Sequence, residues 1–277
     1  MRPLQLFSMT VTAPPPVRCR CLIGAALFLS LGWAEGADAQ SGYRVSNYKG
    51  TIGGAPVHLS LQEIRTDDDA DERRYYGSYY YDRHSAPLAL IGKDDGRRLT
   101  ICESENFHDV LAASSIALPC PFELSRKDRS LVGIWSNGGP RNSVVLERVG
   151  EIDTESDPIA MVGDTTIPAW QQSGRFAFLI RYGKVRTDPS HSRPVVEHVD
   201  VIDKENGDVF QRIHAAEFAG CHPGFNLSII FWNFGVNRAG NELTLGCMTA
   251  PLRFRYSPDK DGVFRFNRVE GDFRGFG

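Results

Sequence analysis

The residue type that carries most chemistry in this chain is cysteine, present six times in 277 residues. Cys102, Cys120, Cys221 and Cys247 follow an apolar leader, and no two of them have the C-x₂₋₄-C spacing of a zinc site. An even number of cysteines in an exported chain is expected to be oxidised to disulfides. Three connectivities are open. Pairing neighbours, Cys102 with Cys120 and Cys221 with Cys247, would stabilise each loop by roughly 3 kcal/mol in the chain-entropy picture. Histidines at 58, 84, 108, 191, 198, 214 and 222 are scattered and form no metal-ligand pair at helical spacing. The chain holds no G-x-S-x-G nucleophile elbow, no H-E-x-x-H and no phosphate-binding P-loop. Glu103 and Glu105 are the nearest candidates for a carboxylate pair and read as solvated strand and loop charges. The sequence therefore assigns no catalytic residue, no metal and no cofactor, and the expectation is a protein that is not an enzyme.

Two further clusters need elements to position them. The acidic run Asp67, Asp68, Asp69, Asp71 and Glu72 lacks the ligand spacing of a calcium loop and runs straight into Arg73 and Arg74, so it reads as a solvated hairpin tip. Tyr75, Tyr76, Tyr79, Tyr80 and Tyr81 sit in a strand-like run. Alternation places Tyr75, Tyr79 and Tyr81 on one face with Gly77, and Tyr76 and Tyr80 on the other with Ser78. One set is expected in a core. The other forms an aromatic stripe suited to cross-strand packing, or to contact with a sugar or a protein.

Formal net charge is −3, with 31 Lys plus Arg against 34 Asp plus Glu. That balance excludes a nucleic-acid partner, which needs a basic face. Arg18 and Arg20 precede the apolar run Leu22 to Leu31, and Ala37-Asp38-Ala39 offers small residues at a cleavage site. Residues 1–39 are read as a signal peptide cut before Gln40, with translation open to a start at Met9. The apolar run is short of the roughly 20 residues that span a bilayer, so no stable membrane insertion is expected after cleavage. Removing Arg2, Arg18, Arg20, Glu35 and Asp38 leaves 28 basic and 32 acidic residues, net −4, in 238 residues. The expected location is periplasmic or secreted.

The elements that hold these residues read as β throughout. Val57 to Ile64 alternates apolar and polar side chains, and further short strands are expected at 74–82, 87–91, 98–103, 122–125, 130–136 and 143–149. Gly53-Gly54, Asp94-Asp95-Gly96 and Asn137 to Pro140 punctuate them. Residues 151–172 lose the alternation and read as a linker or long loop between an N-terminal β domain, 40–150, and a C-terminal β domain, 173–277. In the latter, strands are expected at 175–182, 195–203, 207–213, 225–234, 242–247, 252–256 and 263–266, with hairpin turns at Asn206-Gly207 and Asp261-Gly262. Short helices fit only near 108–115 and 214–218. The fold class is all-β: two halves of short antiparallel strands, barrel- or sandwich-like, or together propeller-like.

These strands carry a resemblance. Tyr48-Lys49-Gly50-Thr51-Ile52-Gly53, Gly77-Ser78-Tyr79-Tyr80-Tyr81, Leu88 to Gly92, Leu99 to Glu103 and Gly133-Ile134-Trp135, followed by Val199 to Asp203 and Gln211-Arg212-Ile213, together resemble periplasmic inhibitors of lysozyme-like peptidoglycan hydrolases. Those include immunity proteins against secreted cell-wall-degrading effectors. Where such proteins have a calcium-type loop, Phe231 to Glu242 keeps Asn233, Phe234 and Glu242 but not the aspartates. Glu242 is then the one carboxylate, too few for a hard cation, and Asn233 to Asn241 reads as a long turn.

The resemblance implies a protein-binding module that inhibits a secreted lysozyme-like hydrolase by occluding its cleft. Trp170, an aromatic in a polar stretch, is the candidate anchor, with Arg175 beside it and Tyr76 and Tyr80 as further partner-binding candidates. The other reading of Trp170 is a plug between the two halves. The alternative function is a carbohydrate- or peptidoglycan-binding module without inhibitory activity, with the tyrosine stripe as its platform.

Overall fold

A computed structural model describes residues 43–64, 73–113, 117–156, 159–186, 192–215, 229–237, 242–247 and 253–270. Gln40–Gly277 constitute one compact unit. The acidic run at 67–72 and residues 216–218 of the helix expected near 214–218 lie outside the described residues, while His214 ends a strand.

The first half is a closed antiparallel barrel. Its strands are β1 (Tyr43–Ile52), β2 (Ala55–Ile64), β3 (Arg73–Tyr81), β4 (Leu88–Asp94), β5 (Leu99–Ser104), β6 (Phe122–Lys127), β7 (Ser130–Trp135) and β8 (Asn142–Asp153). Each pairs with the next, and β1 pairs with β8 to close the ring. Closure leaves no free edge, which suits strands this rich in β-branched and aromatic residues. A two-residue turn at Gly53-Gly54, with φ of 59° and 86°, fixes the β1–β2 register. Alternation sends Val57, Leu59 and Leu61, Tyr75 and Tyr79, Leu99 and Ile101, and Phe122 and Leu124 into one buried core. Eight strands enclose a space that side chains fill, and here they do. Gly133 lies where a Cβ would meet the Glu123 carbonyl oxygen at 2.1 Å, so only glycine lets β7 pass β6 that closely.

The far half of β8 carries β9 (Ala160–Gly163) on the edge that β7 has left. Two four-stranded antiparallel sheets follow. One comprises β10 (Thr166–Pro168), β11 (Phe176–Arg186), β12 (Ser192–Asp203) and β13 (Val209–His214); the other comprises β14 (Phe234–Val236), β15 (Leu243–Gly246), β16 (Arg253–Pro258) and β17 (Phe264–Glu270). They share a core with Phe178 and Phe234 at its centre, ring centroids 4.8 Å apart. Among the described residues, helix is confined to α1 (Phe107–Leu111), capped by Asn106, and a 3₁₀ turn at Ile230–Trp232. Of the architectures open from sequence, the first half takes the barrel, and the second half takes two small antiparallel sheets. Residues 151–172 contain the end of β8, all of β9 and β10, and Trp170. The strand expected over 225–234 is replaced, in its described part, by the 3₁₀ turn. Its backbone groups are used elsewhere: Ile230 N–H donates to Gln62 Oε1 at 2.9 Å and the Phe231 carbonyl accepts from Trp170 N–H.

The same apolar cluster runs onto the outside of the barrel through Val45, Ala89 and Ile152. Several side-chain donors on this seam are paired with backbone carbonyls. Asn47 Nδ2 donates to the carbonyls of Asp164 and Thr166, Gln172 Nε2 to that of Pro87, and Trp170 Nε1 to that of Gly77 at 2.6 Å. Replacing Trp170 by Ala is expected to destabilise the protein by ~3–5 kcal/mol, and Trp170→Phe, which keeps ring packing and loses the N–H, by ~1 kcal/mol. Urea unfolding midpoints at matched m-values check both.

Candidate functional site

Cys102 and Cys120 form a disulfide that ties β5 to the segment entering β6. Cys247 is also disulfide-bonded, and Cys221 lies outside the described residues. Trp170 is 3% exposed. Its indole stacks on Phe231 and Phe107 and meets Tyr76 edge-on, so it occupies the plug position between barrel and sheets and is withdrawn from any partner. Arg175 is exposed, with Nη2 2.7 Å from Asp203 Oδ2 and its guanidinium over Phe176 and Phe210. Tyr75 and Tyr79 are buried inside the barrel, whereas Tyr76 and Tyr80 are half-buried on its outside. The stripe is divided: Tyr76 joins the Trp170 cluster and Tyr80 stacks on His58. Asn233 is buried, and Glu242 lies 3.8 Å from Arg255 and 3.5 Å from Arg268.

Glu103 departs from the solvated role expected of it. It is 9% exposed at one end of the barrel interior, where its Oε2 accepts from Tyr79 Oη at 2.6 Å and Trp135 Nε1 at 3.4 Å. Burial and the neighbouring Glu103 charge push the Tyr79 phenol well up, so it remains a donor. The pair satisfies a buried carboxylate and braces β3 against β5 and β7.

The residues that combine exposure with convergent polar chemistry form a row across three strands. Lys49 lies directly opposite His58 in the β1–β2 ladder, and His58 directly opposite Tyr80 in the β2–β3 ladder. The imidazole and phenol rings stack with centroids 5.0 Å apart at 23°, and His58 Nδ1 lies 2.7 Å from Asp82 Oδ1. Lys49 Nζ is 3.1 Å from Asp164 Oδ2, whose other oxygen is 3.1 Å from Arg181 Nη1. This row forms one wall of a cleft of about 210 Å³, and Asp164, Thr166, Pro168 and Leu179 form the other.

Burial and neighbouring charges shift two groups of the cleft, Asp164 and Tyr80, in opposite directions. Partial burial opposes ionisation of Asp164, but hydrogen bonds from Thr166 and the Lys49 ammonium outweigh it and keep the carboxyl below its usual range. Burial, reinforced by Asp82 and Asp164, raises the Tyr80 phenol well above its ordinary value. The cleft thus presents a half-exposed ammonium, an imidazole and a neutral phenol around a carboxylate. Small-molecule sites run from about 300 to 1,000 Å³. This cleft is smaller, the size for one or two side chains of a partner.

Comparison with known protein families, with characterised proteins and with solved structures found no match.

Lys49 and His58 were not singled out from sequence, although the signal existed. A two-residue turn at Gly53-Gly54 forces Ile52 opposite Ala55 and hence Lys49 opposite His58. The facing wall, Asp164 and Thr166, had no such signal, because it comes from residues read as a linker.

A carboxyl lowered on folding stabilises the fold above its unfolded value of about 3.8, and that stability is lost as pH falls through the folded value. Asp164→Asn is therefore expected to cost on the order of 1 kcal/mol at about pH 7 and less at about pH 3. Denaturant titrations of both proteins at the two pH values check the sign.

Proposed function

We propose that the protein is an exported inhibitor or immunity partner of a lysozyme-like peptidoglycan hydrolase, acting by occlusion of the enzyme's cleft. The observation that carries this reading is the Lys49–His58–Tyr80 row beside a cleft too small for a sugar chain. It is built on strands of a closed barrel whose interior is already filled. Recognition then falls to the outer surface, and a rigid surface binds a folded partner with little ordering cost. The Lys49 ammonium, 48% exposed, suits the carboxylates that such hydrolases use. Tyr80 and His58 offer a flat, polar-edged stack of the kind enriched at interface centres.

Three further features support the reading. The Cys102–Cys120 disulfide fits an oxidising compartment. A net charge of −4 after residue 39 favours encounter with a basic enzyme. Gly50, Gly77, Gly133 and Glu103, among the motif residues behind the family resemblance, sit in barrel strands, whereas Val199 to Asp203 and Gln211 to Ile213 lie in β12 and β13. The first group supports the barrel, and the contact surface is a separate inference from the geometry.

The test is to incubate the protein lacking residues 1–39 with a muramidase and cell-wall substrate. Hydrolysis is expected to fall in proportion to added protein, and Lys49→Glu to weaken inhibition about tenfold or more. Binding to insoluble wall with hydrolysis unchanged would favour a carbohydrate-binding module instead, and wall cleavage by the protein alone would overturn both.

A further inference from the structure

The β12–β13 ladder brings two histidines together on the outward face of its sheet. His198 lies directly opposite His214, and the next pair along, Val199 and Ile213, turns inward to the core. His214 is exposed, and the His198 side chain is 19% exposed. Their ring centroids are 6.0 Å apart and the rings are inclined at 61°, so they do not stack. Two imidazoles on one tetrahedral ion, with bonds of about 2.1 Å, have centroids about 5 Å apart. Rotation about side-chain bonds closes a difference of about 1 Å without moving the backbone.

The charges around the pair are balanced. His198 Nε2 is 3.8 Å from Asp200 Oδ2, beyond hydrogen-bond distance, and the Asp200 carboxylate accepts from Arg212 at 2.7 and 2.9 Å. Arg181, opposite His198 on β11, lies 3.1 Å from Asp164 and 3.9 Å from Glu197. Both guanidiniums that flank the histidines are thus matched by carboxylates, and a cation arriving there meets no unbalanced positive field. Burial, with the charges of Arg212 and His214, keeps the His198 imidazole below its ordinary value despite Asp200. It is therefore neutral near pH 7, the form that ligates a metal.

We infer that His198 and His214 form a two-histidine chelate for a borderline divalent transition-metal ion, with Cu²⁺ bound most tightly. Neutral imidazole suits copper, zinc and nickel rather than magnesium or calcium, and affinity along the first-row series peaks at Cu²⁺. Among the described residues no cluster of three or more His, Cys, Asp or Glu could hold an ion. The chain supplies two ligands here and water completes the coordination, which makes the site exchangeable rather than structural. Neither histidine lines the Lys49 cleft, so the site stands or falls independently of the proposed inhibition.

Calorimetric titration of the protein lacking residues 1–39 with Cu²⁺ at about pH 7 tests the inference. One ion per chain is expected to bind more tightly than any further ion, and Zn²⁺ to occupy the same site about tenfold more weakly. His198→Asn and His214→Asn should each weaken the Cu²⁺ site about tenfold or more, and the double substitution little further, because either loss ends the chelate. Substoichiometric Cu²⁺ should broaden the imidazole proton resonances of His198 and His214 before those of His58, His84 and His108. Absence of saturable one-to-one binding, single substitutions that leave it unchanged, or broadening that begins at other histidines would each overturn it. The resonance measurement needs no variant, so a substitution that failed to fold would not spare the proposal.

Discussion

The hydrogen bond from the Trp170 indole N–H to the Gly77 carbonyl, spanning 93 residues of sequence, is the contact on which the rest of the molecule depends. A barrel strand such as β3 ordinarily shows its outer face to water. Here part of the outer face of β1 to β4, around Val45, Gly77 and Ala89, is covered, and an apolar cover is stable only if the polar groups beneath it find partners. Trp170 meets both needs at one point. Its ring contributes to a stack with Phe107 and Phe231, and its one polar atom is satisfied. Gln62, fully buried on the neighbouring strand, does the same for the Ile230 N–H. The barrel and the two small sheets are consequently one body rather than beads on a linker.

That seam also builds the cleft. Asn47, on β1, donates to the carbonyls of Asp164 and Thr166, and this pins the short β10 segment at a fixed distance from the barrel. Lys49 and Arg181 then reach Asp164 from opposite elements. No loop is needed to bring the Lys49–His58–Tyr80 row to the surface, because cross-strand register does so. A site of this kind has little freedom to lose on binding, which suits it to a rigid protein partner.

The architecture was legible where local chemistry decides it. Alternation in Val57 to Ile64 and in the tyrosine run placed strands correctly and sorted Tyr75 and Tyr79 from Tyr76 and Tyr80. Three strands escaped, each because distant partners rather than local pattern set its conformation. β1, with Asn47, Lys49 and Gly50 among its residues, lacks a clean apolar period because it pairs on both edges and sits partly under the second half. β9 and β10 are three or four residues long and owe their conformation to β8 and β11 rather than to propensity. Trp170 was visible as unusual, yet whether it faced a partner or a core depended on Gly77, Phe107 and Phe231, none near it in sequence. Glu103 is the converse: its charge argued for solvent, and only the distant donors Tyr79 and Trp135 make its burial tolerable.

Native-state hydrogen exchange tests the central claim, that the seam makes the chain beyond residue 39 a single cooperative body, most directly. Amides of β2 and β3 in the barrel and of β11 and β12 in the second half are expected to show the same opening free energy, equal to that of global unfolding. Barrel amides that stay protected while those of β11 and β12 exchange through a separate, lower-energy opening would contradict it.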